Sequence, residues 1–212
     1  MIAAVILAAG QSRRCGENKL LAAVGGKPVV LHAVDAALGG GGAPVLVVVG
    51  HQAERLRRVL AGRPVRTLFN PDYGSGFAAS LKTGLAAVWD FPLRGLLLCL
   101  GDMPLIGPEH VAALINAFRQ AGANRLCIPE HAGSLGHPRL FPPRLLPGLM
   151  TAEGDGGPKA LLDGGDILRL PMDAAVITDV DTKAALMDVQ ARTSGTAAAL
   201  MARDQPWEGP KP

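Results

Sequence analysis

The stretch AAVILAAGQSRRCGENK, residues 3–19, decides how this chain is read. Its first half is a short continuous apolar run, the pattern of a strand buried on both faces. Its second half sets two glycines, a serine, two arginines and a lysine directly behind that strand. Ala8, Ala9 and Gly10 are small enough for backbone amides to approach a ligand closely. Ser12 adds a hydroxyl, and Arg14 and Lys19 add a planar fork and a point charge. A triphosphate needs both donors and cations of this kind. The plainer alternative is a glycine-rich turn whose arginines and lysine are solvated.

Outward from that loop, apolar runs alternate with amphipathic stretches. Strands are expected at 44–50, 65–69, 93–100 and 125–129, and helices at 28–38, 52–62, 76–88 and 107–122. This βαβα rhythm implies an α/β fold with a mostly parallel sheet covered by helices on both faces. Ligands of such sheets bind beyond the carboxyl ends of the strands, where loops 8–18, 70–76 and 101–107 gather. After residue 130 the rhythm changes. Residues 131–141 read as loop and strand, 154–165 as a glycine-rich loop opening a short helix, and 176–189 as a strand followed by a helix. Residues 1–190 read as one domain and 191–212 as a C-terminal extension with a disordered end.

Composition narrows the partners. Hydrophobic residues make up 49% of the 212, enough for a sizeable core, but aromatics only 4%, too few for a base-stacking nucleic-acid platform. The net charge of +3 is mild, and the trio Arg55, Arg57 and Arg58 reads as a solvated helix face. Neither a nucleic acid nor a membrane is therefore expected as partner. The N-terminal apolar run lacks a basic leader and is too short to span a bilayer. Three cysteines at long spacings, with no metal or redox motif, fit a reducing cytoplasm.

Two motifs are decoys. Five residues, not four, separate Gly10 from Gly16, and Lys19 stands three further on, so the first loop is not a Walker loop. GSGFAA (74–79) matches a dinucleotide fingerprint, but no acidic strand end follows about 20 residues later. Asp102 stands two residues beyond a fully apolar strand, placed either to hold Mg²⁺ or to cap the next helix. DVDT (179–182) supplies two more carboxylates, and strand alternation would set Asp179 and Asp181 on one face. His32, His51, His110 and His131 lack metal spacing. His137, between Gly136 and Pro138, has a constrained backbone.

Taken together, LAAGQSRRCGENK (7–19) resembles the nucleotidyltransferase signature L-A-A-G-x-S-x-R-M-G-x-x-K. NPDYGSGFAASLKTGL (70–85), GDMPL (101–105), GHPRLF (136–141), GDGGPKALL (154–162) and DVDT resemble the further blocks of the molybdenum cofactor cytidylyltransferases, a branch of the MobA-like NTP transferases. The resemblance implies a Rossmann-like, GT-A type, three-layer α/β/α sandwich. It implies CTP and (Mo-)molybdopterin as substrates, Mg²⁺ as cofactor, and a molybdoenzyme of the xanthine dehydrogenase type as recipient. By the same resemblance, Ala8, Ala9, Gly10 and Ser80 hold the base, with Leu7, Gly76 and Gly101 completing the nucleotide set. Ser12, Arg14 and Lys19 hold the triphosphate, Asp102 and Asp181 the metal, and His137, Asp155 and Lys159 the acceptor. Arg14, Lys19 and Asp102 carry the chemistry. Ala9, where guanylyl relatives tend to have a second glycine, narrows the base pocket toward a pyrimidine. Cys15 replaces the signature methionine, and Lys159 replaces an arginine, keeping its charge without the fork. Rival readings are the same transfer to a sugar phosphate or from another NTP, and a non-catalytic cofactor carrier.

Overall fold

A computed structural model describes residues 1–12, 15–154 and 166–203, with the side chains of 194–203 excepted. The chain opens with β1 (Ile2–Ala8), the small pair β2 (Ala23–Val24) and β3 (Lys27–Pro28), α1 (Val29–Gly39), β4 (Val45–Val49), α2 (Ala53–Leu60), β5 (Arg66–Phe69) and α3 (Phe77–Ala86). It continues with β6 (Gly95–Leu100), α4 (Pro108–Gln120), β7 (Leu126–His131), β8 (Ser134–Leu135) and β9 (Arg139–Phe141). Last come α5 (Leu146–Met150), β10 (Ile167–Pro171) and α6 (Lys183–Arg203).

The central sheet runs β10-β7-β9-β6-β1-β4-β5, with β8 paired to β7. β1 lies at its centre, parallel to both β4 and β6. Side-chain alternation along β1 feeds both faces. Ala4, Ile6 and Ala8 join the core beneath α1, α2 and α4, while Ala3 and Val5 join the core beneath α3 and α5. Every residue of β4 is buried, which explains its unbroken apolar run. The result is the expected three-layer α/β/α sandwich with a mostly parallel sheet.

Several local expectations change. β9 is antiparallel and inserts between β6 and β7, which the simple βαβα rhythm does not foresee. A tight turn with Ala132 at φ 48° and Gly133 at φ 84° starts the reversal, with β8 folding back on β7. Segment 176–181 contains no strand: a 3₁₀ turn covers Ala174–Ile177, and the edge strand parallel to β7 is instead β10. Pro28 pairs with Ala23 in the small hairpin, so α1 begins one residue later than expected. α6 runs without a break through residue 190, as its alanine-rich sequence favours, and packs on the small hairpin through Gln190, whose Nε2 donates to the Ala23 carbonyl at 2.6 Å. The short helix expected within 154–165 falls largely outside the described residues. Among the described residues, no helix is long and apolar enough to cross a membrane.

Candidate active site

The carboxyl ends of β1 and β6 and the loop after β5 open on a cleft of about 370 Å³. Leu7, Ala9, Gly10 and Ser12 line it, together with Gly76, Ser80, Lys19 and Asp102. The local reasons are steric. A Cβ at Gly10 would meet no atom within 4 Å and would project into open space. Gly76 takes φ 100° before the first turn of α3, a conformation that L side chains rarely adopt. Gly101 does not line the cleft but backs it: its N–H donates to the Leu7 carbonyl at 2.9 Å, and a Cβ there would stand 3.0 Å from that oxygen. Ala8 does not line it either, because alternation turns its side chain into the core on the opposite face from Val5.

The loop after β1 is closed by its own polar groups. Ser12 Oγ accepts from the Lys19 N–H at 3.2 Å, and the Ser12 carbonyl accepts from the Cys15 N–H at 3.0 Å. Asn18, 4% exposed, caps the following 3₁₀ turn through the Leu20 N–H. These contacts hold the Lys19 side chain at the end of the cleft, where its ammonium lies 2.6 Å from Asp102 Oδ2 and 2.6 Å from Asp181 Oδ1. Burial would lower the lysine's pKa, but the two carboxylates outweigh that and hold it above the ordinary value.

Asp181 reaches this point without a strand. The Val180 N–H donates to the Asp102 carbonyl at 2.9 Å and the Val180 side chain is fully buried, so Asp179 and Asp181 flank an anchored residue. Burial, then the charges of Asp181 and Asp102, push the Asp179 carboxyl above its ordinary value. Cys15 donates through Sγ to the Asp181 carbonyl at 3.3 Å, tying the loop to this segment.

Among the described residues, no group of three or more acidic, His or Cys side chains forms a metal cluster. Asp102 and Asp181 nonetheless converge on one positive charge. Two carboxylates beside an open cleft suit Mg²⁺, which keeps several waters and takes phosphate oxygens as ligands. The residues present therefore fit a divalent cation shared with a phosphorylated substrate.

His137 lies outside this cleft. With Gly136, Leu135, Ile177 and Asp179 it lines an adjoining groove of about 360 Å³, and Leu100 borders both spaces. Burial and the nearby Arg139 charge push its imidazole down to about 3, so it is neutral, and its buried Nδ1 has no hydrogen-bond partner among the described residues. Arg14, Asp155 and Lys159 lie outside the described residues. His32, His110 and His131 have structural partners, His32 Nε2 meeting the Val24 carbonyl at 3.0 Å. His110 Nδ1 accepts from the Gly107 N–H at the start of α4, and His131 Nδ1 meets the Met172 carbonyl at 2.8 Å.

Sequence reasoning missed Gln11, Tyr73 and Phe77, which also line the cleft, and Asn70 behind it. The signal was the position of Asn-Pro and Tyr-Gly-x-Gly directly after a strand, in the block that also carries the dinucleotide decoy.

Residues 4–175 match the MobA-like NTP transferase domain, and the chain belongs to that family of nucleotidyltransferases. It is 37% identical over 124 residues to the bifunctional protein GlmU of Geobacter metallireducens, a match covering 58% of this chain and 26% of that protein. The chain thus spans about a quarter to a third of the length of such curated relatives. In structure it is similar to Rv0371c of Mycobacterium tuberculosis H37Rv, with a TM-score of 0.77 and 28% identity over 90% of this chain and 98% of that one. A manganese complex of Rv0371c matches with a TM-score of 0.76 and 26% identity over the same shares. Molybdopterin-guanine dinucleotide biosynthesis protein A of Archaeoglobus fulgidus shares the fold, with a TM-score of 0.69 and 17% identity over 92% of this chain and all of that one.

Proposed function

We propose that this protein is a Mg²⁺-dependent cytidylyltransferase that moves CMP from CTP onto the phosphate of (Mo-)molybdopterin, giving the cytosine dinucleotide and pyrophosphate. The observation that carries the reading is the convergence of Lys19, Asp102 and Asp181 at the end of a glycine-walled cleft. In the transfer, an acceptor phosphate oxygen forms a bond to the α-phosphorus of CTP. The bond from that phosphorus to the α–β bridging oxygen breaks, and pyrophosphate leaves with the electron pair. The acceptor phosphate is already nucleophilic near neutral pH, so the protein's work is alignment and charge neutralisation. Lys19, released from its carboxylates, turns its ammonium toward the triphosphate, and Arg14 adds a second charge. Asp102 and Asp181 would hold Mg²⁺, which would supply further neutralisation of the reacting phosphates.

The pyrimidine preference is supported by Ala9, which lines the cleft. The acceptor side is supported by the adjoining groove at His137, with Asp155 and Lys159 assigned to it by resemblance. The three free thiols accord with a reducing cytoplasm, which belongs to the same proposal, as does delivery to a molybdoenzyme. The test supplies Mg²⁺, either Mo-molybdopterin or a sugar phosphate as acceptor, and each of CTP, GTP, ATP and UTP in turn. Pyrophosphate release with CTP alone, lost in Asp102→Ala, is expected. Release only with a sugar phosphate as acceptor, or with another nucleotide, would replace the acceptor or the base; cofactor binding without any release would make the chain a carrier.

A further inference from the structure

Asn70 is the first residue after β5 and is 2% exposed. Its backbone is fixed, because its N–H donates to the Val49 carbonyl at 2.9 Å. Its side-chain amide is fixed as well. Oδ1 accepts from the Asp72 N–H at 3.0 Å, and Nδ2 donates to Ser80 Oγ at 3.1 Å. The two ends of a side-chain amide differ in chemistry, one accepting and one donating, and the partners fix which end faces which. A backbone N–H can only donate, so the oxygen must face Asp72 and the NH₂ must face Ser80.

That orientation has a chemical result one residue further on. A serine hydroxyl has one proton and two acceptor lone pairs. Asn70 occupies a lone pair of Ser80, so the proton must point elsewhere. Ser80 lines the cleft, and among the described residues no hydrogen bond takes its proton. The open direction is the cleft itself.

We propose that Asn70 is a positioning residue that fixes the Ser80 hydroxyl as a hydrogen-bond donor into the cleft, so that the nucleobase is selected there by a carbonyl or ring-nitrogen acceptor. The proposal rests on the reading that this cleft holds the base of a nucleoside triphosphate. Cytosine presents two adjacent acceptors, O2 and N3, and meets a donor at this point. Uracil keeps the O2 acceptor but presents a donor at N3, so it offers one of the two adjacent acceptors rather than both. Ala9 then acts on the size of the base, and the Asn70–Ser80 pair acts on its polarity.

The discriminating substitution is Asn70→Asp. The carboxylate keeps the shape and still accepts from the Asp72 N–H, but it cannot donate. Ser80 then gives its proton to the carboxylate and turns lone pairs toward the cleft. The added negative charge could also repel a triphosphate, so two controls are needed: inorganic tripolyphosphate as a ligand without a base, and a second series carrying Ser80→Ala. Affinities are read by calorimetry with Mg²⁺, and thermal melting confirms that each variant is folded. Asn70→Asp is expected to weaken CTP binding about 10- to 100-fold, to leave tripolyphosphate binding within about twofold, and to have little further effect once Ser80 is alanine. An equal loss of CTP binding with and without the serine would overturn the proposal, as would unchanged CTP binding in Asn70→Asp. Failure of the unsubstituted protein to bind any nucleotide would instead overturn the nucleotide reading beneath it.

Discussion

The Lys19 ammonium lies 2.6 Å from a carboxylate oxygen of Asp102, across the mouth of the cleft. The same ammonium lies 2.6 Å from Asp181, so one lysine bridges two carboxylates contributed by different loops and leaves a net negative charge there. The ammonium stands where a shared divalent cation would compete with it.

Replacing Lys19 with methionine therefore has two opposite effects. Pyrophosphate release falls by about 10²–10³-fold, the usual loss when a charge aimed at the reacting phosphates is removed. Affinity of the nucleotide-free protein for Mn²⁺ rises, because no internal cation competes for Asp102 and Asp181. Titration of free Mn²⁺ by electron paramagnetic resonance reads the second effect; unchanged or weaker Mn²⁺ binding in Lys19→Met would show that the lysine does not occupy the cation's position.

His137 makes stability depend on pH. Its imidazole is held near 3 in the folded chain against about 6.5 when unfolded. Between those values the unfolded state binds a proton that the folded state refuses. This group's contribution is therefore fully present above about pH 6.5 and is lost as pH falls toward 3. Its share of the slope reaches at most about 1.4 kcal/mol per pH unit. Urea unfolding of His137→Gln between pH 7 and 4 should show a shallower acid decline than the parent. Parallel curves would mean that His137 protonates freely in the folded state.

Gly50, at the end of β4, is set by contact rather than by backbone angle. A Cβ there would stand 2.4 Å from Tyr73 Cβ and 2.9 Å from Ala9 Cβ, and both residues line the cleft. Gly50→Ala should cost about 1–3 kcal/mol in stability, as overpacking does, and should weaken nucleotide binding by moving the cleft wall. Calorimetric melting together with CTP binding checks both, and loss of stability alone would place the strain away from the cleft.

The sequence made the centre of the fold plain and its margins less so. β1 and β4 are unbroken apolar runs because they are buried on both faces, and the loop after β1 shows its chemistry in its residue types. β10 was missed because its residues sit at a sheet edge, only partly buried, with an arginine and a proline among them. Asp181 was found through DVDT, but for a reason that does not hold: a Val180 hydrogen bond to the Asp102 turn positions it, not strand alternation. Ala8 was assigned to the base by its small size and by resemblance, and the register of β1 turns its side chain into the core. The Asn70–Ser80 bond spans a strand end and a helix, and nothing in residue spacing announces it.

The most direct test of the account is CTP binding by calorimetry, with and without Mg²⁺, in the unsubstituted protein and in Asp102→Asn. The account predicts tight binding only when Mg²⁺ is present, and loss of that Mg²⁺ dependence in the variant. Binding that is equally strong without the metal and untouched by Asp102→Asn would contradict the claim that Asp102 and Asp181 form a shared metal and nucleotide site.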